Sequence, residues 1–82
     1  MKAFKVVITT PGKIIYEGRS ISLIAPCQNG YLGVWADHAP LAANLQSGKI
    51  SVKTETAQDF VYQFSGKGFL QVLHNEVTLL LN

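Results

Sequence analysis

Gly30 to Leu45 reads G-Y-L-G-V-W-A-D-H-A-P-L-A-A-N-L, and this stretch decides the fold class. Asn29-Gly30 at its entrance marks a tight turn, because both residues tolerate φ > 0. Gly33 allows a close backbone approach or a bulge. Val34 and Trp35 suit a pleated, half-buried surface. Ala36-Asp37-His38-Ala39-Pro40 cannot continue a ladder, since Pro40 lacks an N–H and drives Ala39 out of the α region. The stretch is therefore a strand that stops, a polar corner at Asp37-His38, and a new apolar segment over Leu41–Leu45. That last segment is long enough for one helical turn and too short to define a helix.

Outward from this stretch the chain reads as short strands between turns. Phe4 to Thr9 alternates, with Phe4, Val6 and Ile8 on one face. Thr10-Pro11-Gly12 is a turn. Lys13 to Glu17 is rich in β-formers, and Gly18 suggests a bulge or bend. Ile21 to Ala25 continues as strand, and Pro26 is expected to end it. Cys27 to Gly30 is a loop and Tyr31 to Trp35 a strand. Beyond the Ser47-Gly48 turn, Lys49 to Lys53 turns Ile50 and Val52 inward and its lysines outward. Thr54 to Gln58 is a polar hairpin tip. Phe60–Phe64, Phe69–Leu73 and Val77–Leu81 are strands, joined by Ser65–Gly68 and by the His74-Asn75 turn. No window of ~11 residues has a helical period. Strands at this spacing with Gly/Pro turns make an all-β sandwich or barrel.

The chain has 82 residues, one domain spanning 1–82 with no repeat or linker. A body this small buries only ~60–65% of its unfolded surface. Its 48% hydrophobic content is high for that size, so part of the apolar surface is expected to face a partner. Seven basic and five acidic residues are scattered along the chain, without the basic stripe that nucleic-acid binding needs. Cys27 is the single cysteine, which excludes an internal disulfide. No stretch approaches a membrane span, and no signal peptide is apparent at the start.

Cys27, Asp37, His38 and His74 are the set that could carry chemistry. A Cys/His nucleophile needs both groups in hydrogen-bond reach and a third group orienting the base. Asp37 and His38 are adjacent, so on an extended segment they point to opposite faces. No C-x-x-C or H-x-x-x-H spacing supports a metal site. Ser65-Gly66-Lys67-Gly68 lacks the spacing of a phosphate loop, and a strand follows it. No catalytic residue, metal, cofactor or small-molecule ligand is expected. The aromatics mostly take inward strand positions, so core packing is their default role. Tyr31, beside a turn, is the best candidate for an exposed ring.

Gly30-x-Leu32-Gly33-Val34 followed by Asp37-His38-Ala39-Pro40-Leu41 resembles the G-E-[FL]-G-[VI]-x-P-G-H-A-P-L signature of the epsilon subunit of F-type ATP synthases. Val7-Ile8-Thr9-Thr10-Pro11 with Tyr16-Glu17-Gly18 resembles the family's opening strand pair. Gln46-Ser47-Gly48-Lys49-Ile50 is similar to K-P-G-x-[VI]. Ser65-Gly66 with Gly68-Phe69-Leu70-Gln71-Val72 is similar to S-G-G-F-L-E-V, and Asn75–Leu80 to N-x-V-T-V-L. Three departures from the pattern matter. Tyr31 replaces the acid of G-E-[FL]-G, Ala36-Asp37 replaces Pro-Gly, and Lys67 is added to the S-G-G bend.

The resemblance implies a flattened β-sandwich of about ten short, mostly antiparallel strands. It implies a non-catalytic rotor subunit that seats the gamma subunit on the c-ring, peripheral to the cytoplasmic face of an energy-transducing membrane. Thr10, His38 and Ala43 are the implied gamma contacts. Gln28, Asn29, Gly30 and Tyr31 are the implied c-ring contacts, with Tyr31 expected to offer apolar area and one hydroxyl hydrogen bond in place of charge. The family's usual chain continues into a C-terminal helical hairpin, so this one is either a naturally short subunit or an isolated N-terminal domain, expected to couple without regulating. The rival readings are a β-barrel nucleic-acid binder and a small hydrolase using Cys27 and His38.

Overall fold

The computed structural model describes residues 2–56 and 58–82, and these form an all-β sandwich. Eight strands run in chain order: β1 Phe4–Thr9, β2 Ile14–Cys27, β3 Gly30–Val34, β4 Leu41–Leu45, β5 Gly48–Thr54, β6 Phe60–Phe64, β7 Gly68–Leu73 and β8 Glu76–Leu81. Alternation sets each strand's inner face, as in β1, where Phe4, Val6 and Ile8 are fully buried. Leu41–Leu45 is a strand, paired antiparallel with β7. Ala57, in the expected Thr54–Gln58 tip, lies outside the described residues.

One layer carries the first half of β2, then β1, β8, β7 and β4. The other carries β3, the second half of β2, β5 and β6. Strand β1 runs parallel to β8, and the remaining pairs are antiparallel. The core lies between the layers: Phe4, Val6, Ile8, Leu70, Val72, Val77 and Leu79 on one side, Leu23, Val34, Ile50, Val52 and Phe64 on the other.

Strand β2 belongs to both layers and corrects the sequence reading in two ways. It is a single strand of 14 residues that passes through both Gly18 and Pro26. Pro26 does not end it, because the residue joins the ladder through its carbonyl, which accepts the Gln46 N–H at 3.0 Å. Its register breaks between Ser20 and Ser22, not at Gly18, and there the strand leaves the β1 layer for the β5 layer. At Gly18 the missing side chain leaves room for Tyr16, whose hydroxyl would lie 2.9 Å from a Cβ. Tyr16 in turn stacks on Phe60, with ring centroids 4.7 Å apart. Ser20 is fully buried at the crossing, and its hydroxyl has no hydrogen-bond partner among the described residues.

Candidate functional site

The first candidate surface is the β2–β3 turn. Gln28 and Asn29 connect Cys27 to Gly30, which pair across the hairpin. Gly30 takes φ 120°, while Asn29 is not among the residues with positive φ. All four expected contact residues, Gln28, Asn29, Gly30 and Tyr31, are exposed. The Tyr31 side chain is 62% exposed, and its hydroxyl oxygen accepts the Lys49 N–H at 3.2 Å. The turn is anchored to its neighbours by backbone: the Gln28 N–H donates to the Asn44 carbonyl at 3.0 Å.

The Asp37-His38 corner is held from outside its own segment. Asp37 adopts φ 64°, a left-handed conformation, at the position where the family signature has Gly. Its N–H donates to Asn75 Oδ1 at 2.5 Å, and Asn75 Nδ2 donates back to its carboxylate at 3.0 Å. Lys2 Nζ bonds both carboxylate oxygens, at 3.0 and 2.8 Å. Bonds from Lys2 and then from Asn75 hold the Asp37 carboxyl below its ordinary pKa. The signature's Gly was the signal that could have revealed this conformation. Asn75 reaches the corner from the β7–β8 turn, where His74 and Asn75 have φ 50° and 59°.

Thr10, His38 and Ala43 do not form one cluster. Thr10 follows β1, where its N–H donates to the Lys13 carbonyl at 2.9 Å. Ala43 sits mid-way along β4, half-buried against the core, while Ala42 and Asn44 beside it face outward. His38 precedes β4 at the opposite end, with Nδ1 donating to the Ala39 carbonyl at 2.8 Å. Cys27 is buried, and burial pushes its thiol pKa up, away from a reactive thiolate. Among the described residues no hydrogen bond joins it to His38 or His74, and no group of three His, Cys, Asp or Glu could hold a metal ion.

Sequence reading missed the outer face of the β1–β8–β7–β4 layer. Thr9, Leu80, Phe69 and Asn44 pair successively across its strands. Leu80 is 50% and Phe69 40% exposed, and Ile14 stands exposed across from Thr9. The next row, Val7, Thr78, Gln71 and Ala42, is uncharged until it reaches Glu17 on β2, which pairs with Val7. Phe69 and Trp35 thus depart from the expectation that aromatics fill the core. Trp35 lies just past the end of β3, and its ring is 56% exposed on the opposite layer. Periodicity marked which face of β7 is apolar, but both faces of that strand are, so it could not assign the outer one.

A family model described as "ATP synthase, Delta/Epsilon chain, beta-sandwich domain" matches residues 3–82. The chain belongs to this family. Among its delta/epsilon-chain relatives, the ATP synthase epsilon chain of Natranaerobius thermophilus is 37% identical over 96% of this chain and 56% of its own length. The epsilon chain of Chlorobaculum tepidum is 40% identical over 96% of this chain and 89% of its own length. The chain thus spans little more than half of the first relative and nearly all of the second. A chain in a cryo-EM structure of Euglena gracilis mitochondrial ATP synthase superposes with a TM-score of 0.87 at 21% identity, covering 96% of this chain and 50% of that one. At that identity the match speaks for the delta/epsilon β-sandwich fold.

Proposed function

We propose that this domain is a non-catalytic central-stalk component of an F-type ATP synthase, passing rotation from the c-ring to the gamma subunit. The observation that carries this reading is the uncharged outer row Ile14, Thr9, Leu80, Phe69 and Asn44 on a rigid, two-layered body. An apolar band of this kind suits a lasting protein contact, since burying it removes hydrocarbon from water and leaves no charge unpaired. Thr10 adjoins Thr9 and Ala43 adjoins Asn44, so gamma is assigned to this face, with Asn44 and Ala42 offering the contact beside the inward-turned Ala43 and His38 at the far margin. The Gln28–Tyr31 turn is assigned to the c-ring. Names of the relatives support the central-stalk role, and a chain from the central stalk and c-ring of Tetrahymena thermophila mitochondrial ATP synthase shares the fold, with a TM-score of 0.72. The domain is peripheral to the membrane through these partners, on its cytoplasmic face.

The nucleic-acid reading gains no support. Exposed rings lie on different layers, Tyr31 and Trp35 on one and Phe69 on the other, and Lys2, Lys5 and Arg19 are each matched to a carboxylate. The test is co-expression with the gamma subunit and c-ring of the same complex. Co-purification with both, weakly dependent on salt for gamma and lost on Leu80→Lys, is the expected result. Gamma binding unaffected by Leu80→Lys, or nucleotide hydrolysis by the isolated chain that disappears on replacing Cys27 or His38, would contradict the reading.

A further inference from the structure

Three turns meet beside Tyr31: Gln28-Asn29 after β2, Gln46-Ser47 after β4 and Ser65–Lys67 after β6. They are fastened to one another. The Gln46 N–H donates to the Pro26 carbonyl, and the Asn82 N–H donates to the Lys67 carbonyl, both at 3.0 Å. Ser47 Oγ accepts the Gly66 N–H at 2.8 Å and donates to the Gly66 carbonyl at 3.3 Å. Between the turns lies a shallow depression lined by Gln28, Asn44, Leu45, Gln46, Lys67 and Gly68.

The formal charge of that depression is one-sided. The side-chain amides of Gln28, Asn44 and Gln46 make no hydrogen bond among the described residues, and each offers an NH2 group. Lys67 adds an ammonium that is exposed and forms no ion pair there, and Lys49 stands exposed beside Tyr31 in the same condition. Residues 28–31, 44–49 and 65–68 contain no Asp or Glu. Of the departures from the family signature at this end, Tyr31 and Lys67 each shift its charge in the positive direction and Gln46, where the signature has Lys, shifts it back by one, so the net change is positive. Unbonded amide donors and a cation, with no Asp or Glu in these turns, suit a carboxylate ligand.

We propose that this depression receives a carboxylate side chain carried on the polar loop of a c-ring subunit, so that the ring contact here is electrostatic, with the domain as the cationic partner. This replaces the expectation of an apolar contact through Tyr31 and rests on the reading that the Gln28–Tyr31 end meets the ring. Lys67 would act through a charge-assisted hydrogen bond, and Lys49 through its field.

The experiment measures binding of the chain to the detergent-solubilised ring of its own complex, followed by carbodiimide cross-linking and peptide mapping. Lys67→Arg should bind like the parent. Lys67→Glu should weaken binding about tenfold or more, the scale of one charge-assisted hydrogen bond. Binding should fall with added salt, and the cross-link should join Lys67 Nζ to a ring carboxylate. Thermal melts establish that each variant folds. Asn29→Trp, which blocks the turn sterically, separates ring contact at this end from the carboxylate site. If Asn29→Trp abolishes ring binding while Lys67→Glu and salt change nothing, the carboxylate site is wrong and the ring assignment stands. If neither variant matters, both fall. Lys67-dependent binding to phosphatidylglycerol vesicles with no ring cross-link would mean that lipid phosphate is the ligand and overturn the proposal.

Discussion

The indole of Trp35 occupies the space that a side chain at Gly33 would fill: a Cβ there would lie 2.6 Å from Cζ3 and 2.8 Å from Cη2. Gly33 has no positive φ, so its backbone suits any residue. The constraint is the ring alone. Gly33→Val should therefore expel the indole and cost about 1 kcal/mol, a typical price for a disturbed packing contact. Trp35 is the only Trp, so its fluorescence reports the event as a red shift in emission. In a Trp35→Ala background the same substitution should be neutral or stabilising, because Val favours a strand. An unchanged emission maximum in Gly33→Val would refute this account.

Gly68 presents the opposite case. A Cβ there would meet the Leu80 backbone oxygen at 2.5 Å, and a ladder carbonyl cannot swing aside as an indole can. Gly68→Ala should destabilise by about 1–3 kcal/mol, the range for forced backbone shifts. Chemical denaturation of Gly33→Ala and Gly68→Ala side by side checks the order; equal losses would contradict it.

Tyr31→Phe should leave the fold intact and lower stability by about 0.5–1.5 kcal/mol, since the Lys49 N–H loses its acceptor in a solvent-accessible place. Tyr31→Ala should also fold. Circular dichroism and urea melts of both variants decide the matter, and loss of the β signal in either would show that Tyr31 is a structural residue.

Ser20→Ala should raise stability by about 1 kcal/mol. The hydroxyl is fully buried without a partner among the described residues, so removing it relieves an uncompensated desolvation. A lower urea midpoint in the variant would mean that the hydroxyl finds a partner in solution.

The corner should respond to acid. The Asp37 carboxyl is held below its ordinary pKa in the folded chain by Lys2 and Asn75. Its contribution is present at neutral pH and is lost as pH falls from about 4, the ordinary carboxylate value, through the lower folded value. Asp37→Asn should flatten that part of the stability profile, and added salt should shrink the difference, because the group is exposed. Identical acid limbs for the two proteins would exclude the coupling.

Much of this architecture was legible in local pattern. Alternation placed Phe4, Val6, Ile8, Ile50 and Val52 inward, and the His74-Asn75 turn was readable from residues that tolerate positive φ. The continuity of β2 was not legible. Gly18 and Pro26 are local breakers, and what overrides them is tertiary: the Tyr16 ring over one, the Gln46 N–H on the carbonyl of the other. The depression beside Lys67 was equally hidden, since its residues come from turns far apart in the chain and none forms a motif by itself.

The placement of β8 has a consequence for synthesis. It is made after β1 to β7, yet it lies between β1 and β7, parallel to β1. On the ribosome, Phe4–Thr9 emerges at the outset and can pair with β2 alone, leaving its other edge open. That edge waits until Glu76–Leu81 clears the exit tunnel. The sheet around β1 therefore closes only after β8 has left the tunnel, and until then the nascent domain carries an open templating edge.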